Sequence, residues 1–156
     1  MSGIKLFCDG SVNPQSKIGF GAFFVYDENL ESQNIFVKKF ENTSSTKLEL
    51  EVLLWALEDL KESEITVYTD CQNILQLEKR KEKLVGNDFL TSSGKKVKNE
   101  ELYKKFYAKI KNLSLNFVKI KGHKKNALKD DLDKLFNLVD KASRKALREF
   151  NKKEKI

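Results

Sequence analysis

The chain has 156 residues, 40% hydrophobic and 34% charged, which is enough for one domain with its own core. It contains no apolar run of about 18 residues or more, which excludes a membrane-spanning helix. A formal net charge of +7 favours a polyanionic partner, although part of the lysine excess is compositional.

No signal-like apolar segment opens the sequence, and Cys8 and Cys71 form neither a disulfide framework nor a zinc spacing. The expected setting is therefore cytoplasmic, with reduced thiols. No linker or internal repeat divides the chain. The expectation is a single domain over residues 1–150 followed by a charged tail, 151–156.

In chain order, residues 4–9 read as a strand that belongs in the middle of a sheet. Residues 10–17 read as a turn around Asn13-Pro14, and 18–26 as a second strand. Gly19 and Gly21 flank Phe20 and leave that strand bare on one face, a sign of close backbone approach. Asp27-Glu28-Asn29 predicts a hairpin turn and 34–40 a third strand. Thr43-Ser44-Ser45-Thr46 offers N-caps for a helix over 47–61.

A fourth strand over 65–69 stops at Asp70. A second helix begins near Cys71-Gln72-Asn73 and is expected to run through Leu77. Residues 78–98 hold seven Lys/Arg against three Asp/Glu together with several turn formers, so they are expected to project from the domain. A third helix over 99–110, a last strand over 113–120, a basic loop over 121–129 and a long helix over 131–150 complete the chain. Strands in series followed by alternating helices and strands predict an α/β fold. Its mixed β-sheet has three antiparallel strands first and is flanked by helices.

Four carboxylates stand out. Asp9 and Asp70 each end an apolar strand, where ligand sites collect in such sheets, although Asp is also common in turns and caps. Glu49 falls on the helix face of Leu53, Ala56 and Leu60, so it looks inward, whereas Glu51 lies with Glu58, Asp59 and Glu62 on the solvated side. An inward carboxylate needs a partner or a cation. On the last helix, Asp140 sits at the margin of the apolar face, with small Ala142 and Ser143 after it. Asp133, seven residues earlier, is its rival but is followed by bulky Leu135 and Phe136, so packing favours Asp140.

Clustered carboxylates repel one another, and a hard divalent ion removes that penalty. Two such ions can activate a water and stabilise the leaving oxygen of an in-line displacement, which points to phosphodiester hydrolysis. No phosphate-binding loop of glycines with Lys-Ser/Thr is present to suggest nucleotide triphosphate use. His123, in the polar run Lys121-Gly122-His123-Lys124-Lys125, has a pKa suited to proton transfer, and equally suits a solvated basic loop.

These pieces together resemble ribonuclease H of type 1, the cellular and retroviral family that cuts RNA in RNA/DNA hybrids. The resemblance is carried by Asp9-Gly10-Ser11, Gly19-Phe20-Gly21-Ala22, Thr43-Ser44-Ser45-Thr46-Lys47-Leu48-Glu49-Leu50, Thr69-Asp70-Cys71-Gln72, Lys121-Gly122-His123 and Asp140-Lys141-Ala142-Ser143. It implies the RNase H-like fold, with a five-stranded mixed sheet. It implies an endoribonuclease with a metal set of Asp9, Glu49, Asp70 and Asp140, and His123 as proton shuttle or release group. The cofactor it implies is Mg²⁺, two ions per site with substrate, with Mn²⁺ as the alternative. The substrate contacts would be Gly10, Ser11, Asn13, Ser45, Thr46 and Gln72 on the RNA 2′-hydroxyls and Thr43 on a DNA phosphate, with 78–98 as the basic arm along the DNA strand. The partner would be the hybrid itself, read with little base preference by a monomer that needs no protein partner.

The sequence departs from the family in three places. Ser45-Thr46 stands where the family has two asparagines. Lys125 stands where the loop usually has glycine. The Asn-Glu usually found ahead of the last Asp is missing. The family's histidine-to-aspartate spacing of ten residues selects Asp133, while the local pattern around the Asp selects Asp140. Two other functions fit the same residues: a nuclease on this sheet that cuts DNA or junctions, and a binding module that has lost catalysis.

Overall fold

The protein is described by a computed structural model covering residues 3–26, 34–58, 60, 64–111, 113–120 and 131–154. The expected hairpin turn at Asp27 and the basic loop with Lys121, His123, Lys124 and Lys125 lie outside the described residues. Strand β1 spans Ile4–Asn13, β2 Ile18–Tyr26, β3 Phe36–Phe40, β4 Glu64–Thr69 and β5 Ser114–Lys119. The helices are α1 Ser45–Leu57, α2 Gln72–Gly86, α3 Glu100–Ile110 and α4 Asp131–Glu154.

The five strands form one sheet in the order β3-β2-β1-β4-β5. The first three are antiparallel, and β1/β4 and β4/β5 are parallel. β1 is central because both of its faces are apolar. Leu6 and Cys8 join the core beneath α1, α2 and α3, while Phe7 joins the core beneath α4. On the α4 side Phe7 stacks between Phe24 and Tyr68, at centroid distances of 5.0 and 4.6 Å, so one ring column crosses the three middle strands.

Helix α1 starts where Ser44 caps it, its hydroxyl accepting from Lys47 N at 3.3 Å. It then lies unusually close to the sheet. A Cβ on Gly10 or Gly19 would sit 2.9 or 2.7 Å from Leu48 Cδ2, and one on Gly21 would collide with Val52 Cγ2. The bare face of β2, facing Gly10 of β1, is therefore a trough into which Leu48 and Val52 of α1 fit.

Several elements outrun their expected bounds. β1 continues to Asn13, where Asn13 Oδ1 accepts from Gln15 N at 2.9 Å and starts the turn. α2 continues nine residues past Leu77, because Ile74, Leu77 and Leu84 keep one buried face and the Tyr107 hydroxyl donates to Leu77 O at 2.7 Å. The basic segment 78–98 is thus half helix, and the turn beyond it is tied back through Phe89, whose ring lies 6.3 Å from that of Tyr107. α4 runs through position 150 to Glu154. Phe150 packs on Phe20 at 5.7 Å, so the helix stays on the sheet where a free tail was expected.

Replacing Gly21 with alanine should lower unfolding stability by about 1–3 kcal/mol through overpacking against Val52. Equilibrium urea unfolding measures this. An unchanged midpoint would show that α1 is not pressed on the sheet.

Candidate active site

The parallel β1–β4 register pairs Phe7 with Tyr68, and two residues further along each strand stand Asp9 and Asp70. Parallel pairing thus sets the two carboxylates side by side just beyond the last β1–β4 pair. The glycine trough does the rest. With Leu48 seated over Gly10, the next residue of α1, Glu49, arrives at the same place and accepts from the Gly10 amide. Carboxylate oxygens of Asp9, Glu49 and Asp70 all lie within 4.8 Å of one another. Thr69 holds the last turn in place, its hydroxyl accepting from Cys71 N at 3.1 Å and its carbonyl from Ile120 N at 2.9 Å.

α4 closes the site from the opposite face. Ser143, fully buried, contacts the Ser11 hydroxyl at 3.1 Å and donates to Asp140 O at 3.1 Å, which fixes the helix against β1. The Asp140 carboxyl hydrogen-bonds with Asp9, and Arg144 Nε holds one of its oxygens at 3.0 Å. Asp133 is buried, and neither it nor Asp140 is among the three carboxylates whose oxygens meet there.

The electrostatics follow from packing like charges together around the buried Asp9. Asp9 is only 4% exposed, and burial, then the charges of Glu49 and Asp70, push its pKa up to about 10. Burial, then Asp70, pushes Glu49 up to about 8. Glu49 Oε2 is buried without a hydrogen-bond partner among the described residues. An orphaned carboxyl oxygen beside two more acidic groups suits a hard divalent cation, with Asp9, Glu49 and Asp70 as its oxygen donors. The neighbouring thiols do not compete. Burial first, and the same carboxylates after it, raise Cys8 well above the usual thiol range and Cys71 to about 11. Both stay protonated, and the donor set is all oxygen.

The other expected contacts are placed unevenly. Ser45 and Thr46 are exposed on the first turn of α1, and Gln72 is exposed at the start of α2, so they flank the carboxylates from two helix ends. The side chains of Ser11 and Asn13 are already engaged, on Ser143 and on the Gln15 amide. Thr43 is 3% exposed and donates to Glu51 Oε1 at 2.6 Å. Glu51 is therefore half-buried beside the cap of α1, not on the solvated side where helical spacing alone puts it. His123 lies outside the described residues. Two residues that the sequence reading passed over matter here. Arg144 was signalled only by its i,i+4 spacing from Asp140, and Thr69 only by its place before Asp70.

A five-stranded mixed sheet in this order, with acidic residues on β1 and just after β4 and helices on both faces, is the RNase H-like α/β fold. The chain belongs to the RNase H family, whose pattern it matches over residues 1–146. It is 30% identical over 158 residues to a ribonuclease H of Clostridium botulinum, covering 97% of this chain and 99% of that one. It is also 30% identical over 155 residues to a ribonuclease H of Caldicellulosiruptor saccharolyticus, covering 96% and 99%. Among solved structures, the foamy viral protease-reverse transcriptase in complex with dsDNA shares the fold. The TM-score is 0.70 at 13% identity, over 90% of this chain and 91% of that one. Family and acidic cluster together make the protein a metal-dependent nuclease.

The sign of the pH effect is set by the raised pKa values. The unfolded chain releases these protons near 3.8 and 4.5, whereas the native site keeps them to about 10 and 8. Across that window the unfolded state binds fewer protons, so metal-free stability falls as pH rises. Asp70→Asn removes one repelling charge and should raise the melting temperature in EDTA by about 2–6 °C, more at about pH 8.5 than at pH 5. Mg²⁺ should stabilise the wild type and not the variant. A variant that melts below wild type at high pH would contradict this account.

Proposed function

We propose that the protein hydrolyses the RNA strand of RNA/DNA hybrids as a Mg²⁺-dependent endonuclease with little base preference. The observation that carries this reading is the meeting of Asp9, Glu49 and Asp70, with Asp140 against Asp9, between two exposed helix N-termini. These four carboxylates would hold Mg²⁺, or Mn²⁺ in its place. Two bound ions supply activation of the attacking water and stabilisation of the leaving oxygen.

The protein's own groups select and orient the strand. The hydroxyls of Ser45 and Thr46 and the amide of Gln72 can bond ribose 2′-hydroxyls across a wide, shallow minor groove, which distinguishes RNA from DNA. Ser11 and Asn13 have their side chains engaged, so their part, with Gly10, falls to the backbone. A phosphate at Thr43 has to compete with Glu51 for the hydroxyl. Lys119 and the basic segment 78–98 add phosphate contacts that carry affinity without reading bases. His123 serves as the proton shuttle or release group, a role open to an imidazole, whose ordinary range is near neutral.

Cleavage of a hybrid, a DNA duplex and a four-way junction should be compared with the same purified protein. Hybrid cut and the DNA substrates left intact is the expected result, and a junction cut in preference would move the protein to a resolvase-like activity. Asp9→Asn should reduce hybrid cleavage by more than about 100-fold. His123→Ala should slow turnover by about 100-fold and leave residual activity. Asp140→Asn should be inactive while Asp133→Asn cleaves, and equal losses would refute the choice of Asp140.

A further inference from the structure

α4 carries a feature that the carboxylate chemistry does not use. Lys141, Arg144, Lys145 and Arg148 follow one another at i, i+3, i+4 and i+7, so they share one face of the helix, and all four are exposed. With Asn137 and Asp140 they line a shallow depression of about 390 Å³. One of its lining residues, Asp140, is held by Arg144 and interacts with Asp9, so the depression shares a wall with the acidic site.

The helix does not need these cations for its own stability. Lys152 and Lys153 already complement the negative end of the helix dipole in the last turn, and the four residues lie earlier. Like charges three and four residues apart repel. Among the described residues only Arg144 of the four has an acidic partner. Packing gives no return either, because the opposite face of α4, with Phe136, Val139 and Ser143, is the buried one. From Lys141 to Arg148 the helix rises about 10 Å. Over that length a duplex presents about six phosphate charges, at one per roughly 1.7 Å.

We propose that this cationic face of α4 binds the phosphodiester backbone of the substrate strand flanking the cut. Arg144 pairs with Asp140 there, and Lys141, Lys145 and Arg148 extend the face along the helix. The proposal rests on the nuclease reading above and adds a contact surface distinct from the helix N-termini and the 78–98 segment. The contacts are to phosphate, so they set affinity and register and do not depend on base sequence.

The test uses the full chain carrying Asp70→Asn, so that nothing is cut, and a fluorescein-labelled 20-base-pair hybrid followed by anisotropy over a salt series (about 20 base pairs spans the site and the stripe). Adding Lys145→Ala with Arg148→Ala should weaken binding about 5–10-fold at low salt. It should also make the slope of log K against log salt shallower by about 1–2. The control pair Lys109→Ala with Lys111→Ala changes net charge equally on α3 and should leave the slope unchanged.

On the cleaving enzyme, the Lys145/Arg148 pair should raise KM by the same factor with kcat within about twofold. An unchanged slope, or equal slope changes in both pairs, would overturn the proposal even if the hybrid is cut. A hybrid left uncut by the wild-type chain, with the slope still reduced by the α4 pair alone, would instead refute the nuclease reading and keep the phosphate face.

Discussion

The structure depends on holding three acidic side chains together, with Asp9 buried and Glu49 half-buried beside Asp70. Left to themselves they would separate or protonate, and the raised pKa values of Asp9 and Glu49 record that tension. The sheet and two helices resist it from three directions. The parallel pairing of β1 with β4 fixes Asp9 beside Asp70, Leu48 on Gly10 fixes Glu49, and the Ser11–Ser143 contact fixes α4. Stability spent on repulsion is recovered when a cation binds, so the free site is preorganised for metal instead of relaxing away from it.

The same economy shapes α4. Its buried face packs on the Phe24–Phe7–Tyr68 ring column, its margin delivers Asp140 to the site, and its outer face carries the cations. One element therefore supports the core, sets Asp140 against Asp9 and, in our proposal, meets the nucleic-acid backbone. Arg144 stands where these roles join. It neutralises Asp140 in the metal-free protein and borders the depression along the helix.

Much of the architecture was legible because it is written in local patterns. The end of β4 at Asp70, the inward face of Glu49 and the bare face of β2 all follow from period-2 and 3.6 spacing, whereas β1 runs on past Asp9 to Asn13. Element lengths were less legible. α2 passes Leu77 because Leu84 and Phe89 find α3, and α4 passes Phe150 because that ring finds Phe20. Both are contacts between residues far apart in sequence. Glu51 was misplaced for a more local reason, since its partner Thr43 lies just before the helix begins and helical spacing does not see it.

By itself, the sequence determined which residues could be strands, which carboxylates face inward and that the chain carries an excess of positive charge, because each depends only on residue type and short-range spacing. Tertiary structure alone decided which carboxylates meet. Asp133 and Asp140 differ by about 20° around the helix axis, and only the docking of Ser143 on Ser11 sets the depth at which α4 meets the sheet. Helical periodicity says which way a side chain points. How far along the sheet it arrives is decided by packing against another element.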